Sequence, residues 1–286
     1  MTVSPRIAST LGGITICAAV VLFFIRFWGF GFWGFGMFLQ VAIGSMLPLF
    51  ALGCAEFSAV RERTSYSVGL LALLAFGSFV TNLMLLRFIF NINSLEHALI
   101  AWGAFATVVA YRYGLRLLLA IGLLLLIAYA AAEFNAGFGH PWFEFGERPE
   151  LVAVLGVLVF CAPIVVRHQH HQDFPPVYRL VGAIVFFLCM LLGSYLPLGY
   201  QSAGRLYGFV GLLTSAVATW LGITQHWNSL VNISATAFTI FLFLFLLLFD
   251  SWVLFLAAIG APGIAIAMVL MLKRLRGRMA RKGVLL

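Results

Sequence analysis

Charge is scarce in this chain. Only 9% of its 286 residues are Asp, Glu, Lys or Arg while 63% are hydrophobic, against about 25% charged in ordinary globular domains. That balance excludes a water-soluble globule, which needs far more polar surface to cover a core. Acidic residues are the scarcer sign, nine against seventeen basic ones. The basic surplus gathers at the ends of apolar runs, where it marks membrane faces and not a nucleic-acid-binding patch. Catalytic signatures are missing too: no Walker A loop, H-E-x-x-H, G-x-S-x-G or dinucleotide fingerprint occurs. The apolar runs hold neither a nucleophile paired with a base nor two facing carboxylates. The expectation is a protein that is not an enzyme and carries no cofactor. Four cysteines, Cys17, Cys54, Cys161 and Cys189, all lie in apolar runs without a C-x-x-C pair, so neither a disulfide framework nor a zinc site is indicated.

What is present is hydrophobic sequence in long blocks. At about 20 apolar residues per span, the runs predict ten transmembrane helices. Five fall at 7–25, 35–55, 68–90, 95–110 and 115–132, and five at 151–166, 180–198, 207–221, 230–249 and 252–272. The fold expected is an all-α polytopic bundle forming one integral membrane domain over 1–286, with halves 1–140 and 141–272 and a basic tail at 273–286. The fourth, sixth and eighth runs hold only fifteen or sixteen residues, so they must extend into polar flanks or sit in a thinned bilayer.

Basic residues set the orientation, because cytoplasmic loops retain Lys and Arg. With the N-terminus inside, the cytoplasmic segments hold Arg6, Arg61, Arg63, Arg112, Arg116, Arg167 and Arg179. The tail adds Lys273, Arg274, Arg276, Arg278, Arg281 and Lys282 on the same side. The outer side keeps Arg26, Arg87, Arg148 and Arg205. Thirteen against four places both termini in the cytoplasm and requires an even number of spans. The tail's six cations, each worth roughly 1 kcal/mol near an anionic leaflet, make anionic lipids at the cytoplasmic face its expected partner. Arg6 before an apolar run imitates a secretory signal, but aromatic residues stand where a small-residue cleavage site belongs, so the run reads as an uncleaved span.

Two self-similarities stand out. Phe27-Trp28-Gly29-Phe30-Gly31 repeats in tandem as residues 32–36, a placement that suits aromatic anchoring at the headgroups. Gly44-Ser45-Met46-Leu47-Pro48-Leu49 in the second span matches Gly193-Ser194-Tyr195-Leu196-Pro197-Leu198 in the seventh at five of six positions. Spans two and seven run in opposite directions, as an inverted five-plus-five duplication requires, and proline-interrupted segments at matching positions mark transporter binding sites. Coincidence is the competing account, because a chain rich in Leu and Gly yields short matches by chance. If the duplication holds, Gln40, Gly44, Ser45, Pro48, Gly193, Ser194 and Pro197 line a substrate path. Arg87 and Asp250 are its candidate ionisable members, each a costly group at membrane depth. Arg87 has a second reading as a snorkelling arginine near Glu96, and Asp250, beside Trp252, as the turn of a tight outer hairpin. Asn82 and Asn232 are amides suited to hydrogen bonding between helices. The histidines of 168–171 with Asp173 form an incomplete ligand set before Pro175 and Pro176, so no metal is expected there.

From 66 to 134, with Leu-rich pairs broken at Tyr111-Arg112-Tyr113-Gly114, the chain resembles a bacterial group of predicted membrane proteins, domain of unknown function 2157. The end is similar too: Asn228 and Asn232 lead through Ala237 and Phe238 to Phe249-Asp250, a further span and the Arg-rich tail. The chain departs from that pattern in lacking a polar cytoplasmic helix before the first span. The resemblance implies a polytopic inner-membrane protein and supplies no substrate or active residues. Two classes of function therefore stay open, a non-enzymatic scaffold or accessory subunit and a secondary transporter of a small solute. Ten-span drug and metabolite transporters are similar in length and span count.

Overall fold

The computed structural model describes residues 37–61, 65–91, 96–137, 149–165, 173–195 and 201–247. The first and last expected spans, the tandem aromatic repeat, the histidine cluster, Pro197, Asp250 and the basic tail lie outside the described residues. So do the side chains of Gln40 and Glu96.

The described elements are all helical: α1 (Met37–Arg61), α2 (Ser65–Ile89), α3 (Glu96–Tyr113), α4 (Arg116–Gly137), α5 (Pro149–Val165), α6 (Phe174–Tyr195), α7 (Gln201–Thr224) and α8 (Asn228–Leu247). Each overlaps one of the expected spans two to nine. Four contain stretches long and apolar enough to cross a membrane: Ser67–Arg87, Arg116–Phe134, Phe174–Ser194 and Gly204–Thr224. Shorter apolar stretches, Gly44–Val60, Pro149–Val165 and Asn228–Leu244, lie in α1, α5 and α8.

The boundaries differ from the sequence expectation where polar residues are helical. The run expected at 207–221 belongs to a helix of 24 residues, α7, which continues through the polar flank to Gln201. Helix α6 starts at Phe174 and not at 180, because Pro175 and Pro176 fall in the first turn, where a missing N–H breaks no helical hydrogen bond. Helix α1 continues past Ala55 to Arg61 and keeps Pro48 in its interior.

Small residues line much of the buried side of α1 to α3, and many large apolar side chains face outward. Ala51, Ala55, Ala72, Ala75, Ala106 and Ala110 are buried, whereas Met46, Phe50, Val60, Val108, Val165 and Trp220 are exposed. Small residues inside let helix backbones approach closely in lipid, and large apolar side chains outside suit a hydrocarbon solvent.

The chain forms two compact units, Met1–Tyr129 and Ala130–Leu286. In the first, α1 packs on α2 and α2 on α3, the latter pair joined by Phe79 and Phe105 stacked 4.2 Å apart. At the end of α3, Gly114 takes φ 70 and the Leu115 N–H donates to the Ala110 carbonyl at 3.0 Å. This is the Schellman arrangement that glycine favours, and it turns the chain directly into α4. A Cβ on Gly122 would stand 3.1 Å from the Gly103 carbonyl and 3.0 Å from the Thr107 nitrogen, so α3 and α4 touch through backbone.

In the second unit α5 packs on α6, α6 on α7 and α8, and α7 on α8. A Cβ on Gly182 would lie 2.5 Å from the Gly156 carbonyl oxygen and 2.6 Å from the Phe160 nitrogen. Only glycine fits that crossing. Phe187, Met190, Leu230 and Phe241 are buried in one core cluster, and the Phe241 ring rests against Gly211. The α7–α8 turn repeats the Schellman stop, with His226 at φ 58 and the Trp227 N–H donating to the Gly222 carbonyl at 2.8 Å. Arg179 caps this turn, its guanidinium 3.7 Å from the centre of the Trp227 ring.

Candidate functional site

Buried polar groups in an apolar chain are the natural place to seek function, because each must be satisfied or answer for its cost. In the second unit the buried serine hydroxyls are hydrogen-bonded. Buried Ser215 donates to the Leu212 carbonyl at 2.8 Å and buried Ser234 to that of Leu230 at 2.7 Å, while the Thr219 hydroxyl lies 3.0 Å from that of Ser234. These bonds close within or between adjacent helices.

The first unit differs. Gly44 and Ser45, on the buried side of α1, face Asn82 of α2, whose amide N–H donates to the Ser45 hydroxyl at 3.4 Å. Gly44 makes room for this amide, since a Cβ there would overlap the Asn82 carbonyl oxygen. That oxygen is buried without a hydrogen-bond partner, and so is the indole N–H of Trp102 on α3. Phe79 stacks on Phe105, so α2 and α3 meet in a register that sets Asn82, three residues on, level with Trp102, three residues back. One layer thus holds an unanswered acceptor and an unanswered donor, both more than nine-tenths buried.

Ten to eleven residues further along α1 and α3, roughly 15 Å at the helical rise, the two helices end in a charged cluster. Glu56 accepts hydrogen bonds from the Arg112 guanidinium and, at 3.0 Å, from the Tyr113 hydroxyl. Glu56, Arg112 and Tyr113 stand beyond 35–55 and 95–110, the stretches read as spans. Hydrogen bonds from Arg112, then from Tyr113, hold the Glu56 carboxyl below its ordinary range. The same bond to Glu56 raises Arg112. Burial first, and then the bond to Glu56, raises the Tyr113 phenol. Between the helices, Leu52, Gly53, Val108 and Val109 wall a cleft of about 370 Å³ with the charged trio at its rim.

The residues expected to line a path fall in unlike settings. Gly44, Ser45 and Pro48 lie within the body of α1, with Gly44 and Pro48 buried. Gly193 and Ser194 occupy the last turn of α6. Gly193 packs against Pro149 and Tyr207, and the Ser194 hydroxyl returns to the Leu191 carbonyl of its own helix at 2.7 Å. Nearby, the Tyr207 hydroxyl donates to Glu150 at 2.8 Å. Arg87 is half-buried in the last turn of α2. Sequence reasoning assigned Asn82 to helix packing and did not single out Glu56 or Trp102. The signal for Glu56 was present, as an acid directly after an apolar run with Arg-Tyr at 112–113 after another.

Among the described residues no group of three His, Cys, Asp or Glu side chains could hold a metal ion. The described residues define a class, all-helical with four helices apolar and long enough to cross a membrane. No family model, curated protein or solved structure matches the chain.

Proposed function

We propose that the chain is a non-enzymatic, multi-pass protein of a bacterial inner membrane that acts as a scaffold or accessory subunit. It has ten spans, both termini in the cytoplasm and a basic tail held against anionic lipids, and it belongs with domain of unknown function 2157. The observation that carries the scaffold reading is the Gly156–Gly182 crossing, where the α5 and α6 backbones touch with no side chain between them. The topology gains support from contacts at helix ends. Glu56 with Arg112 in the first unit, and Glu150 with Tyr207 in the second, join residues that the alternating spans assign to one face.

A second reading, a secondary transporter of a small solute, is favoured by the unanswered Asn82 carbonyl and Trp102 indole, which a solute hydroxyl or amide would satisfy. Thiol accessibility separates the two. With Cys17, Cys54, Cys161 and Cys189 replaced by alanine, Ser45→Cys in native membranes stays unreactive toward a small charged methanethiosulfonate if the interior is packed. Rapid reaction at that position decides for a water-filled path and against the scaffold.

A further inference from the structure

We propose that the cleft between α1 and α3 binds a zwitterionic phospholipid of the phosphatidylethanolamine class. The cleft is open at Gly53, which is exposed and on which a Cβ would meet nothing within 4 Å. An apolar groove of this kind gains dispersion contacts when an apolar chain lies in it. At about 370 Å³ it lies in the size range of small-ligand pockets, about 300–1,000 Å³. Its walls are apolar and its rim is charged, the same order in which a phospholipid presents acyl chain and headgroup.

The rim selects the headgroup. Arg112 and Glu56 cancel in charge and remain accessible, with side chains 66% and 43% exposed. The guanidinium carries five N–H donors, most of them unused by the bond to Glu56, and its planar fork suits a phosphate. Glu56 takes one hydrogen bond on each oxygen, leaving lone pairs for an ammonium. Ethanolamine carries its ammonium two carbons from its phosphate ester, so one headgroup can meet both side chains. A purely anionic headgroup would face the Glu56 carboxylate without compensation, and a cationic amphiphile would face Arg112.

The proposal rests on the membrane placement given above, and its test keeps the two apart. Full-length protein is extracted in mild detergent, supplied with equal amounts of phosphatidylethanolamine and phosphatidylglycerol, and examined by native mass spectrometry. The wild type retains one phosphatidylethanolamine in preference to phosphatidylglycerol. Gly53→Leu, which fills the gap, lowers that retention about tenfold, and Arg112→Gln does the same and abolishes the preference, as expected for losing one charge-assisted contact. Equal retention by wild type and Gly53→Leu, or phosphatidylglycerol held as tightly as phosphatidylethanolamine, overturns the proposal. Recovery of the protein without detergent would instead refute the membrane reading itself.

Discussion

Asn82 crosses from α2 to the Ser45 hydroxyl of α1 at 3.4 Å, in a space that exists only because its neighbour on α1 is Gly44. A single weak hydrogen bond and a missing methyl group therefore depend on each other, and the dependence can be measured. Gly44→Ala should destabilise the protein by about 1–3 kcal/mol, the usual cost of overpacking. In an Asn82→Ala background most of that loss should vanish, because the obstructing amide is gone. A double-mutant cycle on unfolding in detergent checks the coupling, and strict additivity would contradict it.

Asn82→Leu alone should be close to neutral. The substitution gives up one long hydrogen bond, and such bonds between membrane helices average about 0.6 kcal/mol, but it also removes a buried carbonyl without a partner. Under the transporter reading the same change should abolish solute movement while the unfolding midpoint holds.

Glycines in this chain divide by what surrounds them. Gly182→Ala places a methyl group 2.5 Å from the Gly156 carbonyl, and backbone cannot swing aside, so α5 and α6 must separate. A loss of about 3 kcal/mol or more is expected, at the upper end of overpacking costs. Gly53→Ala meets nothing and should leave stability unchanged or slightly raised, since alanine is the better helix former. Thermal unfolding of the two variants side by side provides the comparison.

Acid should dissolve the Glu56–Arg112–Tyr113 cluster from one side and alkali from the other. The carboxyl is held below its ordinary value of 4.5, so its contribution is complete above that pH and disappears as pH falls through the lowered value. The Tyr113 phenol is raised above 10.0, so its bond to Glu56 persists below that pH and is lost as pH rises through the raised value. Arg112→Gln should return the Glu56 titration toward 4.5, visible in the infrared carboxylate band. Glu56→Gln should lower the Tyr113 value only part of the way, because burial is its larger cause.

The helices were readable from hydropathy because membrane helices satisfy their own backbone and need only an apolar run. Their ends were not. Phe174 to Arg179 of α6 and Glu56 to Arg61 of α1 are polar or proline-bearing, and they are helical because of first-turn geometry and partners on other helices. The polar layer was half visible: Gly44 and Ser45 drew notice through a repeated hexapeptide, yet their contact is Asn82. Trp102 gave no signal, because an indole in an apolar run reads as packing until the register of α2 on α3 shows its N–H unanswered. Within the hexapeptides themselves, Gly44 sits well inside α1 and Gly193 in the last turn of α6, a difference that sequence identity conceals.

Sidedness tests the central claim most directly. In intact cells of a cysteine-free variant, an impermeant maleimide should label His140→Cys at once, and Arg63→Cys and Leu286→Cys only after the membrane is permeabilised. Labelling of Leu286→Cys from outside, or equal labelling of Arg63→Cys and His140→Cys in intact cells, would contradict a bundle whose helices alternate across the bilayer with both ends in the cytoplasm.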